Sequence, residues 1–304
     1  MPGRPDLAVG QQGKWHSRLF LRVVSFELAK FGLFFPAQRL QLVGQGRVVD
    51  GVGPFPQPDA RCLEGEKDEC GTNDLSARQK GEMRMRDEDF ALFIDSFGEA
   101  TQRQPVPESS LKKWDNVLPP VLLEHWRDEG WAGYANGLLW TVNPDDFEHI
   151  KDAWLQGTPL DSFDKFHVIA RSAFGNLYLC GERTGRSVSI ICIHNEILAL
   201  KNRLKSKTLN AQNVTIQSLF GSSEPDDFDY SDPNGKLLFD RAMKKYGPLA
   251  SDEMYGFEPA LVLGGSATLK NLRRLKLDPH LLILREFDTP TLPFSNVDLD
   301  KLMK

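Results

Sequence analysis

The amino-acid sequence predicts an α+β protein made of two mixed α/β modules, the first containing an antiparallel meander. Three features predict this. Apolar residues recur at helical spacing between residues 86 and 154, and the period changes to two from Phe166 onward. A second mixture of helix-like and strand-like segments follows from residue 233. The chain has 304 residues, 40% hydrophobic and 26% charged, which suits one large or two medium domains with a sizeable core.

The first helix is expected over Arg86 to Ala100, with Phe90, Phe93, Ile94 and Phe97 on one face and the Asp87 to Asp89 carboxylates in the first turn. A short helix opened by Pro107 ends near Trp114. Pro119 and Pro120 open another, and Gly130 sits where a C-terminal cap belongs. Gly137 to Val142 reads as a strand. Asn143 caps the next helix, with Pro144 in its first position, Phe147, Ile150 and Trp154 inward, and Gly157 at its end. Lys165 to Arg171, Leu177 to Cys180 and Val188 to Ile193 form the meander, the last two joined through a turn at Gly185. Ile197 to Leu204 reads as a helix end or connector. In the second module, Asp232 and Pro233 open a helix to Tyr246 that buries Leu237, Leu238, Met243 and Tyr246. Phe257 to Leu263 has strand length and feeds a Gly264-Gly265 turn, with Ser266 or Thr268 capping a helix that carries Leu269, Leu272 and Leu275. The expected organisation is an N-terminal extension over 1–82, a first domain over 83–205, an acidic linker over 206–232 and a second domain over 233–304.

Net charge is −5 and unevenly spread: residues 1–82 carry 11 basic and 10 acidic side chains, leaving 26 and 32, a net of −6, for residues 83–304. An acidic body repels phosphates and favours a basic partner, so direct nucleic-acid binding is not expected. Cys62, Cys70, Cys180 and Cys192 have irregular spacing and do not read as a disulfide framework. The apolar run from Leu19 to Phe35 is broken by Arg22, Glu27 and Lys30, so a cytoplasmic protein with no membrane span is expected. Residues 1–82 scatter Gly, Pro and Arg without period. Lys80-Gly81-Glu82 can be encoded by a purine-rich run resembling a ribosome-binding site, so the native start is expected at Met83 or Met85, with a non-native segment before it; a disordered or loosely folded extension is the alternative.

The stretch Tyr246 to Gly265, YGPLASDEMYGFEPALVLGG, followed by His280-Leu281, resembles the C-terminal domain of type VI secretion immunity proteins. Upstream, Gly130 to Pro144 and Phe166 to Glu182 resemble the GAD-like domain that precedes it in those proteins. The pair is similar to the immunity protein of a GHH-type DNase effector in Pseudomonas, and the first module has SMI1/KNR4-like character. The resemblance implies a protein that binds a cognate toxin 1:1 in the cytoplasm, a DNase in this case, and blocks its active site without turnover, cofactor or metal. Two further readings are a hydrolase acting on a nucleotide or toxin product, and a structural or tRNA-associated module.

Candidate toxin contacts are Glu224, Asp226, Asp227, Asp229 and Tyr230 in EPDDFDYSD, a strip that could mimic a phosphate backbone and that also reads as a solvated linker. Trp131 and Tyr134 are the second candidates, whereas Trp126 and Trp154 read as core. Gly247, Glu253, Tyr255, Gly256, Phe257, Pro259, Gly264, Gly265 and His280 form the family motif and are read as mostly structural. Catalytic candidates are poor: Ser266 lies outside a nucleophile elbow, Cys180, Cys192 and His194 lack a zinc spacing, and His125, His149, His167 and His280 read as isolated structural histidines.

Overall fold

Residues 86–293 and 295 are described in the computed structural model. The expected extension over 1–82, the start at Met83 or Met85, Cys62 and Cys70 lie outside the described residues.

Helix α1 (Glu88–Phe97) begins where the Asp87 carboxylate accepts the Phe90 N–H at 3.1 Å, and it buries Phe90, Phe93 and Phe97. Strand β1 (Thr101–Gln104) and helices α2 (Glu108–Trp114) and α3 (Pro120–Glu129) follow. Pro120 occupies the first turn of α3, where its missing N–H costs nothing, and Gly130 at φ 76° ends the helix.

The sheet runs in chain order through β1, β2 (Trp131–Tyr134), β3 (Leu139–Thr141), β4 (Phe166–Ser172), β5 (Leu177–Gly181), β6 (Gly185–Ile191) and β7 (Glu196–Ala199), every neighbour antiparallel. Its centre is a zipper of Val168 opposite Leu179 and Leu179 opposite Val188. Every residue of β4 and β5 is buried, so both sheet faces are covered. Helix α5 (Leu209–Gly221) packs on β6, α1 and α3, while α4 (Glu148–Leu155) packs on β4. The 3-10 turn Pro144–Phe147 leads into α4, and Asn143 caps that turn by accepting the Asp145 N–H at 3.3 Å.

The remaining elements are α6 (Phe239–Tyr246), a hairpin of β8 (Glu253–Phe257) and β9 (Leu272–Lys276), and α7 (Leu277–Glu286). Helix α7 packs on α4, where Trp154 Nε1 donates to the Leu281 carbonyl at 3.2 Å.

Several expectations are corrected. Residues 196–199 form a strand, because Ile197 and Ala199 are buried in alternation with partly exposed neighbours. Its outer edge is closed by Thr291, whose carbonyl accepts from Ile197 N at 2.8 Å. Helix α5 occupies much of the segment read as a linker, capped by Thr208. Helix α6 starts at Phe239 rather than Pro233, since Asp232 caps a tight turn by accepting from Asn234 N and Lys236 N. The apolar run at Phe257 ends its strand immediately, because Pro259 offers no N–H and Leu261–Leu263 turns instead. Leu272 and Leu275 lie on β9, so neither Ser266 nor Thr268 caps a helix.

Candidate binding surface

Tyr255 joins three segments. Its N–H donates to the Ala173 carbonyl at 2.8 Å, its hydroxyl donates to the Gly247 carbonyl at 2.5 Å, and its ring meets Phe174 and Phe239. A Cβ on Gly256 would stand 2.5 Å from His280 Nε2 and 2.8 Å from Leu275 Cδ1, and one on Gly265 would collide with the Pro259 carbonyl oxygen. Glu253 accepts the Ala250 N–H at 2.9 Å, and buried Phe257 lies opposite Leu272. Pro259 follows a cis bond and Gly264 closes the turn after it. Burial lowers the His280 pKa and leaves its Nε2 without a hydrogen-bond partner. These side chains and glycines build the hairpin and its contact with the meander.

The acidic strip is folded rather than extended. Glu224, Asp226 and Asp227 are exposed around the turn Pro225–Asp227, whereas Phe228 is buried against Phe97 and Tyr178. Asp229 turns inward and accepts N–H groups from Tyr230, Leu238 and Phe239 at 2.6 to 3.3 Å. Burial nevertheless pushes its pKa up to about 6. Tyr230 packs on Phe174 and donates to Asn176 Oδ1 at 3.1 Å. Asp232 pairs with Arg241 at 2.7 Å.

Trp131 and Tyr134 separate. They stand three residues apart on one strand and so belong to opposite faces. Tyr134 is wholly buried against Phe93, with ring centroids 4.9 Å apart, and offers a partner no surface. Trp131 is half-buried, edge-on to Trp126, and lines a cleft of about 480 Å³. The same cleft is lined by Gln102, Trp140, Asp146, Asp252 and Asp278, bringing together β1 to β3, the turn before α4, the loop before β8 and the start of α7. Lys276 also lines it and pairs with Asp252 at 2.6 Å, while His149 meets Asp278 at 2.8 Å. Behind Trp140 lies Arg171, fully buried, its guanidinium 4.7 Å from the ring centroid. It donates to the Ser172 carbonyl at 3.2 Å and the Ser251 carbonyl at 2.7 Å; burial pulls its pKa down to about 9, so it remains a cation at neutral pH. Only Trp131 of this cleft is a candidate from the sequence, because residues such as Asp146 and Asp278 share no linear pattern and meet only through the packing of α4 on α7.

Three of the histidines are not isolated. His125 lies 2.5 Å from the Asp87 carboxylate, His149 pairs as above, and His167 sits between Glu148 at 3.0 Å and Glu182 at 3.3 Å. Burial alone would raise Glu148, but hydrogen bonds from His167 and Lys151 bring it to about 2. Cys180 and Cys192 are buried, which raises both thiols and disfavours the reactive thiolate. Cys192 and His194 lie in a 3-10 turn, not on one face of a strand. Among the described residues no cluster of three His, Cys, Asp or Glu is placed to hold a metal, and no helix is long and apolar enough to cross a membrane.

Residues 88–194 match the GAD-like domain family. Residues 213–288 match the family described as T6SS immunity protein Tdi1, C-terminal. The two matches follow one another along the chain, the GAD-like match first and the immunity-domain match second. No curated protein matches it. Its fold is similar to the crystal structure of Atu4351 from Agrobacterium tumefaciens, with a TM-score of 0.57 and 21% identity over 66% of this chain and 89% of that one. The immunity-domain match begins inside α5, although α5 packs on β6 of the GAD-like sheet. The two modules therefore share a helix in space. The junction cleft likewise draws walls from both.

Proposed function

We propose that this chain is an immunity protein that binds a cognate type VI toxin, a DNase, in a 1:1 complex in the cytoplasm and blocks its active site without turnover. The observation that carries this reading is the match of residues 213–288 to the Tdi1 C-terminal immunity family, behind a GAD-like domain. The net charge of −6 over residues 83–304 supports it, because a surface that must cover a DNA-binding groove gains association rate and specificity from negative charge. In this reading the exposed Glu224, Asp226 and Asp227 make contact, Asp227 while its carboxylate accepts the Glu224 N–H, and Asp229 and Tyr230 shape the strip from within.

The test is a titration of the toxin encoded beside this chain, following nuclease activity and complex formation together. Complete inhibition at a stoichiometric ratio with a co-eluting 1:1 complex is expected. Protection at substoichiometric amounts, with no complex, would replace this reading with an enzyme acting on the toxin or its product.

A further inference from the structure

We infer that the cleft at the module junction is a docking site for a basic side chain, an arginine or lysine on a loop of the cognate toxin. This rests on the immunity reading above and adds the place and chemistry of contact.

The cleft combines two features that recognise a flexible cation. Trp131 offers a half-buried indole, and aromatic faces attract guanidinium and ammonium groups; Trp140, also in the lining, is buried with Arg171 already over its ring. Asp146, Asp252 and Asp278 contribute three carboxylates to the lining, against the single lining cation Lys276, with Asp278 also met by His149 at 2.8 Å from outside the lining. Lys276 is held by Asp252. Arg171 offsets part of this negative charge from beneath, but it is enclosed behind Trp140 and its N–H groups face the Ser172 and Ser251 carbonyls. By touching both Trp140 and the Ser251 carbonyl, Arg171 braces two walls, so little ordering cost remains when a partner enters.

Two alternatives fit the structure less well. The open edge of β1 would suit strand addition, but its register is irregular and Gln102 takes a positive φ of 49°, which interrupts a pairing edge. The acidic strip has committed Asp229 to backbone N–H groups and Asp232 to Arg241.

The experiment uses the full chain and the toxin encoded beside it, measuring Kd by calorimetry at low and at physiological salt. The variants are Asp146→Lys, Asp278→Lys, their combination, Trp131→Phe, and Asp226→Lys as a charge-matched control on the strip. Thermal melting establishes that each is folded. The combined reversal is expected to weaken binding by about a hundredfold and each single reversal by about tenfold, with a flatter salt dependence, while Asp226→Lys has the smaller effect. Wild-type binding with unchanged Kd in both folded single reversals would overturn the inference and leave the immunity reading standing. The same holds if Asp226→Lys alone weakens the complex. Absence of any wild-type complex would remove both.

Discussion

At the scale of single residues, the motif glycines have two causes: Gly256 and Gly265 have close neighbours where a Cβ would stand, and Gly247 and Gly264 take positive φ of 84° and 86°. Gly256 sits on β8, where an added Cβ would stand 2.5 Å from His280 Nε2 and 2.8 Å from a Leu275 methyl carbon, so both partly buried side chains would have to shift. Gly256→Ala is expected to cost about 1–3 kcal/mol in urea denaturation, the usual penalty for overpacking. A loss below about 0.5 kcal/mol would mean that the His280 ring swings aside and that the motif glycine has another cause. Residue roles were legible in the sequence where size alone decides them. Trp126 and Trp154 are core, as any large apolar group on a helix face tends to be. Tyr134 was not legible, because the sequence reading begins its strand only at Gly137, and without a strand over Trp131–Tyr134 there is no alternation to separate the half-buried Trp131 from the fully buried Tyr134.

At the scale of elements, start and stop signals proved reliable where they act locally. Asn143, Pro120 and Gly130 lie where the sequence placed them, since a cap needs only neighbours within a turn, whereas Asp87, expected inside the first turn, stands just before it as the cap. Helix α6 departs from this. Its first N–H, on Phe239, is taken by Asp229, ten residues away across a tight turn that Asp232 holds shut. Burial raises the Asp229 pKa to about 6, above the ordinary aspartate value of about 3.9. The folded state then binds this proton more tightly than the unfolded chain. Its contribution is full below about pH 3.9 and is lost as pH rises through about 6. The difference in melting temperature between wild type and Asp229→Asn should therefore move against the wild type from pH 4 to pH 6.5. A difference that moves the opposite way would show that the three N–H donors outweigh burial.

At the scale of the whole molecule, the two modules are tied at many points. Arg171 reaches the Ser251 carbonyl, Gln102 Nε2 donates to the Leu249 carbonyl at 2.9 Å, Trp154 reaches Leu281, and Arg285 donates to the Ala153 carbonyl at 3.0 Å. Modules tied in this way should unfold together. Among the described residues every tryptophan lies in the first module, so fluorescence reports on that module and far-UV dichroism on both. Coincident denaturation curves from the two probes are expected. Separate midpoints would establish that the modules fold independently across the junction.

The sequence by itself determined the α+β class, the meander, most helix starts and the two-module family pattern, because periodicity and caps are short-range and the motif glycines and aromatics stand close together in the chain. Tertiary structure decided the rest. Strand β7 exists because a sheet edge and Thr291 pair it, β9 because β8 lies alongside, and Asp229 alone of the acidic strip turns inward, because its carboxylate takes the first N–H of α6. The cleft belongs wholly to this second class. Its carboxylates and tryptophans come from distant parts of the chain, and only the packing of α7 on α4 and the bracing of Arg171 gather them into one surface.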